Sequence, residues 1–303
     1  VTYEEVAGQY PEGETYSLRR PVYTFDDMGY GPLHDELMFS PRVAPQMIGL
    51  GLLEAIPELR LLELADPDDA DSDGISGRVN IVWDVETESM AIGRFGWKSE
   101  QPTVRQQTAG AFLGDMGLTT PLFASQDCAE VQRECADAET GGTPEVEPHL
   151  FERVVVYSSL LAVPVRRDWD DPDVLAGKRL FRDTGCASCH VASHVTGPHW
   201  LEETSNQLIW PYTDLLLHDM GSDLSDNRPS FDATGDEWRT PPLWGIGLFE
   251  AVNNHQLLMH DGRARGVAEA ILWHGGEAED SKDEFINLSR ADRALLILFV
   301  ETL

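Results

Sequence analysis

Gly185-Cys186-Ala187-Ser188-Cys189-His190 is the stretch that decides the reading of this chain. Two cysteines one helical turn apart reach the two vinyl groups of one porphyrin, and the histidine that follows lies under the iron. A thioredoxin-like dithiol has no need of that histidine, and a zinc site requires a second Cys/His pair at finger-like spacing, which the sequence lacks. Covalent haem c on Cys186 and Cys189, with His190 as proximal ligand, is therefore the expected chemistry. Upstream, Asp170-Asp171-Pro172 opens a helix that runs through Leu175 and Leu180-Phe181 into the motif. Downstream, Ser289-Arg290-Ala291-Asp292 forms a capping-box start for a terminal helix with the apolar run Leu295 to Val300. Two such helices around the motif are what a cytochrome c domain needs to sandwich a porphyrin, which places a domain boundary near residue 165.

The 303 residues carry 22 Lys+Arg against 53 Asp+Glu, a net charge of −31, which disfavours nucleic acid and anionic membrane surfaces as partners. With 42% hydrophobic and 25% charged residues the chain is a folded protein with a sizeable core, not a disordered one. No apolar run is long enough to span a bilayer. The opening Val1-Thr2-Tyr3-Glu4-Glu5 has neither the positive nor the apolar region of a signal peptide. An excess of carboxylates keeps a protein soluble in a salty medium, and gathered into a patch it would attract a basic electron-transfer partner.

Residues 1 to 44 are rich in Pro, Gly and Tyr and read as extended segments and turns. Helices are expected over Ala44 to Ile56, Thr103 to Leu113, Glu147 to Ala162 and Val267 to His274, with Gly275-Gly276 as the stop of the last. The acidic Glu130 to Glu147 stretch reads as a surface excursion. Cys128 and Cys135 beside it are expected to form a local disulfide, with free thiols as the alternative, because haem c matures in an oxidising compartment. Asp69, Asp71 and Asp73 precede Gly74 at alternate positions, the first half of an EF-hand-like calcium loop, although Asn80 stands where a bidentate Glu is required. The alternative is a solvated acidic turn.

Several further stretches combine with the motif: Gly93-Arg94-Phe95-Gly96-Trp97-Lys98, Gln106-Gln107-Thr108-Ala109-Gly110, Gly114-Asp115-Met116-Gly117, Tyr212 to Gly221, Trp238 to Gly245, Met259 to Arg263 and His274-Gly275-Gly276. With them the chain resembles, over nearly its whole length, the di-haem c oxidoreductase family, a branch of the bacterial di-haem cytochrome c peroxidase and MauG-like superfamily that also carries a thiol oxidoreductase label. The resemblance implies a mainly α fold with little β structure: 1–165 as the remainder of a peroxidatic-type domain and 166–303 as a cytochrome c domain with covalent haem. It implies a periplasmic place, a calcium ion between the domains, and two C-x-x-C-H motifs where this chain has one. The other motif is expected to precede residue 1, with a second haem in the full-length protein. By the same resemblance Trp97 lies between the haems, and Gln107 and Asp115 lie near the distal pocket of the second. Asp115 stands where the peroxidases carry Glu. Thr240 and the carbonyl of Pro242 match a calcium-binding segment.

The sixth iron ligand is to be sought among Met220, Met259, His260 and His274. His274 sits at a helix end held by packing, and the resemblance agrees, since this position carries Met in the peroxidases and Tyr in the MauG-like proteins. The expected function is a periplasmic haem c oxidoreductase, relaying electrons from a small redox protein or cytochrome past Trp97 to a second haem. The alternative is a pure electron-transfer cytochrome. Thiol oxidation has little support, because thioether bonds consume both cysteines of the motif.

Overall fold

Asp171 takes the backbone N–H of Asp173 at 2.8 Å, and Pro172 follows where the first turn has no use for its missing donor. A computed structural model describes residues 1–303 and shows the helix so started. In chain order the elements are β1 Thr2–Gln9, β2 Thr15–Val22, α1 Leu50–Glu54, α2 Glu58–Leu64, β3 Ile81–Asp84, β4 Ser89–Ile92, α3 Val104–Met116, α4 Arg133–Ala136 and α5 Pro148–Leu160. There follow α6 Pro172–Asp183, β5 His194–Val195, β6 Leu208–Ile209, β7 Leu217–Asp219, β8 Glu237–Arg239, α7 Phe249–Asn253, α8 Val267–Leu272, α9 Glu279–Asn287 and α10 Arg290–Glu301. The expected cap at Ser289 is present, its hydroxyl accepting from Asp292 N at 3.2 Å.

The expectation of a mainly α chain with little β structure is corrected: 31% of residues are helical and 14% are in strands, a mixed composition. The strands pair as four separate antiparallel hairpins, β1 with β2, β3 with β4, β5 with β6 and β7 with β8. The first is the longest, in register from Thr2 opposite Val22 to Gln9 opposite Thr15. Its Tyr, Thr, Val and Leu content suits a pleated ribbon, and it falls within the extended segments expected over 1 to 44. Ala44 to Ile56 gives only the short α1, because Pro45 removes a donor and Gly49 sits at φ +69°. Thr103 and Glu147 prove to be the caps rather than the first turns of α3 and α5.

The largest apolar cluster lies where α6 meets α10. Val174, Phe181, Leu296, Phe299 and Val300 pack there with Tyr212, Phe285 and, from the first hairpin, Tyr10 and Leu18. The hairpin is strapped on by cations: Arg293 pairs with Glu12 and lies over the Tyr10 ring at 3.6 Å, and Arg19 donates to the Arg263 carbonyl at 2.9 Å. A second cluster joins Leu53, Ile56, Leu61 and Phe95 to Ile209, Leu215 and Trp244, and a small third one joins α3 to α5 through Ala109, Phe151 and Val155. No helix is long and apolar enough to cross a membrane.

Gly177 is the point of closest approach between α6 and α10. A Cβ there would lie 2.0 Å from the Leu295 carbonyl oxygen and 2.8 Å from Phe299 Cβ. Helix propensity alone favours Gly177→Ala by about 1 kcal/mol, but the clash is with backbone and cannot rotate away. Gly177→Ala is expected to destabilise by about 1–3 kcal/mol, read as a lower urea midpoint with an unchanged slope.

Candidate haem site

Thr184 ends α6 by donating its hydroxyl to the Leu180 carbonyl at 2.9 Å, and the chain turns through Gly185 into the C-x-x-C-H loop. Cys186 and Cys189 are both free thiols, and Cys186 Sγ lies 3.4 Å from Thr184 Oγ1. Burial pushes the Cys186 thiol up. The pairing expected elsewhere is present, with Cys128 bonded to Cys135.

His190 Nδ1 lies 3.0 Å from the Tyr212 carbonyl oxygen. A carbonyl only accepts, so Nδ1 carries the proton and Nε2 presents a bare lone pair, the form that ligates iron. Burial pushes His190 down to about 4, with the nearby His274 adding to the effect, so the ring is neutral at physiological pH. His274 repeats the arrangement. Its Nδ1 donates to the Ala270 carbonyl at 2.7 Å, and burial lowers it too. It follows α8 rather than ending it, since the helix stops at Leu272, but His274 N still bonds the Ile271 carbonyl. His274 and Met220 line one cavity of about 370 Å³, between the first hairpin, the end of α8 and α9. Trp273 shares that wall, and its indole N–H is buried without a partner. Two free thiols, two neutral imidazoles with free Nε2 atoms and an unsatisfied buried donor form a set that fits a covalent haem with carboxylate side groups.

The other ligand candidates are engaged differently. His260 stacks flat on Trp238, ring centroids 3.7 Å apart and 11° from parallel. Lys98 lies over the same indole at 4.4 Å while its ammonium donates to Asp226 at 2.8 Å. Met259 packs against the largest cluster.

Trp97 donates its indole N–H to the Val43 carbonyl at 2.7 Å, and its own carbonyl accepts from Arg239 N. Gln107 is half-buried on α3 and Asp115 is exposed at that helix's end; no hydrogen bond joins either to Trp97. It is Gln106 that is buried, bridging Val85 N and the Trp83 carbonyl. In the Asp-rich loop, carboxylates of Asp66, Asp69 and Asp71 come within 4.8 Å of one another, while Asp73 accepts from Ile75 N at 2.9 Å. Asp66 escaped the sequence reading because it precedes the alternating run. The carbonyls of Thr240 and Pro242 are already accepting, from Thr213 Oγ1 and from Gln46 Nε2 respectively.

Sequence reasoning also missed a buried chain that starts beside the motif. His218 Nε2 lies 2.8 Å from Asp214 Oδ2, and its Nδ1 lies 2.8 Å from Glu277 Oε2 and 3.7 Å from Cys189 Sγ. Burial opposes the charged ring, but hydrogen bonds with Asp214, Cys189 and Glu277 outweigh it and raise His218 well above its ordinary range. The available signal was Asp214 and His218 flanking Leu215-Leu216-Leu217, two ionisable groups bounding a wholly apolar run.

Residues 1–303 match the sequence model of the family described as "Di-haem oxidoreductase, putative peroxidase". The chain belongs to this di-haem oxidoreductase family. No curated protein and no solved structure gives a match. The family makes the chain a haem redox protein, in accord with the donor set around Cys186, Cys189 and His190.

Burial pushes His260 from 6.5 down to about 4. Between those values the unfolded chain binds a proton that the folded one refuses, so stability falls as pH drops, by up to about 1.4 kcal/mol per pH unit. His218, raised instead, is protonated in both states below pH 6.5 and adds no slope there. Urea titrations from pH 7 to 4 are expected to show His260→Gln flattening this decline relative to the parent di-haem oxidoreductase.

Proposed function

We propose that this chain carries one haem c through thioethers to Cys186 and Cys189, with His190 and His274 as axial imidazoles. In this reading it serves as the electron-relaying part of a periplasmic, peroxidase-like di-haem enzyme. The observation that supports it best is the paired pose of His190 and His274: each imidazole is neutral, tied by Nδ1 to a backbone carbonyl and left with Nε2 free. When bound, such a haem supplies one-electron chemistry.

Two imidazoles on one iron leave no position for peroxide. That favours electron relay at this site over peroxide cleavage, which then belongs to the second haem of the di-haem family. Trp97 is proposed as the aromatic group between the two, its orientation held by Val43 and Arg239. Gln107 and Asp115 are proposed for the pocket of the second haem, where an acid moves a proton between the two peroxide oxygens. The electron donor is proposed to be a small redox protein or cytochrome of basic surface, drawn by the net charge of −31. The division into 1–165 and 166–303 belongs to the same reading.

Haem staining is expected to stay with the denatured polypeptide and to disappear in Cys186→Ala with Cys189→Ala. The oxidised protein is expected to lack the long-wavelength charge-transfer band of a sulfur–iron bond. If that band is present and survives His274→Ala, Met220 or Met259 is the ligand and the assignment fails.

Calcium is proposed at the Asp-rich loop, where Asp69, Asp71 and Asp73 offer hard oxygen donors and Asp66 adds a fourth carboxylate. Chelation is expected to lower the melting temperature and added calcium to restore it, because an ion bound only by the folded state stabilises that state. An unchanged melting temperature at millimolar calcium rejects the site.

A further inference from the structure

His218 is 3% exposed, and each of its nitrogens faces a carboxylate oxygen at 2.8 Å. A neutral imidazole has one N–H and can serve one carboxylate; serving both takes the imidazolium. The two carboxylates stand on segments that the haem site has already brought into play. Asp214 follows Tyr212, whose carbonyl orients His190, by two residues, and its other oxygen accepts from Leu216 N at 2.9 Å. Glu277 follows His274 by three residues, and its other oxygen takes the hydroxyl of Ser76 at 2.6 Å. The chain of contacts therefore runs from the Asp-rich loop through Glu277 and His218 to Asp214, linking the segment behind one imidazole with the segment behind the other.

We propose that His218 is a brace that fixes the spacing of the two axial-ligand segments, holding His274 in place through Glu277 and His190 through Asp214. It is a positioning residue. Its hydrogen bonds are charge-assisted and sheltered from water, the setting in which such bonds are strongest. The Asp-rich loop presses on the same ring: a Cβ at Gly77 would lie 2.6 Å from His218 Cε1, so any side chain there would push the ring aside. The position of that loop is thereby coupled to the seating of His274.

The proposal rests on His274 being the sixth ligand, and the experiment separates the two. The probe is cyanide, mixed rapidly with the oxidised, haem-loaded protein, because cyanide binds only when the sixth ligand lets go. Wild type is expected to show a six-coordinate bis-imidazole spectrum and slow binding. His218→Asn and Glu277→Gln are expected to bind cyanide about tenfold faster or more, since each removes a charge-assisted hydrogen bond, and to show a new high-spin fraction. Gly77→Ala, which displaces the ring without removing it, is expected to act in the same direction and carries the test if His218→Asn fails to retain haem. Phe151→Leu, in the separate third cluster, lowers stability without touching the brace and is expected to leave the cyanide rate unchanged. A bis-imidazole wild type whose brace variants bind at the wild-type rate, or no faster than Phe151→Leu, overturns the brace and leaves His274 as ligand. A sulfur–iron band or a five-coordinate wild type overturns the ligand assignment and the brace with it.

Discussion

Everything around the C-x-x-C-H loop hangs on the contact between Gly177 and the Leu295 carbonyl, because only a residue without a side chain lets α6 and α10 come so near. The crossing brings Phe181 and Phe299 together at 5.3 Å between ring centroids, and Tyr212 closes the group at 6.0 and 5.7 Å from them. Tyr212 is at once a packing residue and, through its carbonyl, the group that chooses the tautomer of His190. A purely steric contact between two helices is thus transmitted, through three aromatic rings, into the chemistry of one imidazole nitrogen. Burial supplies the rest, since the same packing that orients His190 also keeps it neutral.

The elements legible in the sequence were those whose signals are local. Asp171-Pro172 and Ser289 to Asp292 announced α6 and α10, because capping depends on a handful of neighbouring residues, and C-x-x-C-H pointed to haem, in keeping with the family. Residues 2–22 read as extended, but their pairing was not legible, since the strands gain their meaning from each other and from docking on α10. The helix before His274 was legible, although it stops at Leu272. Asp214, His218 and Glu277 were not, because nothing in the spacing of 214, 218 and 277 says that the chain returns to the same point.

The acidity of the chain has an internal counterpart. Near the motif, Asp214 and Glu277 enclose one imidazolium, an arrangement that carries one more negative charge than positive when all three are ionised. Around Trp238, in contrast, the Lys98 ammonium lies 4.4 Å and the Arg42 guanidinium 5.6 Å from the ring centroid. Cations over an indole face resist removal of an electron from it. The two aromatic environments differ accordingly: Trp97 has no such cation over its ring, whereas Trp238 is electrostatically guarded. Charge distribution, more than aromatic content, distinguishes the two tryptophans.

The first hairpin has one further consequence, which concerns time rather than stability. Tyr10 and Leu18 belong to the same buried cluster as Phe299 and Val300, nearly the whole chain away in sequence. During synthesis from the N-terminus, β1 and β2 emerge long before α10 exists to receive them. A lone two-stranded ribbon is marginal in water, so its apolar side waits exposed until the last helix is made. Closing so long a loop is slow, and the cavity beside His274 cannot be sealed before it happens. The chain therefore passes through an interval in which the cavity beside His274 is still open on the hairpin side, an interval in which a large planar group can enter.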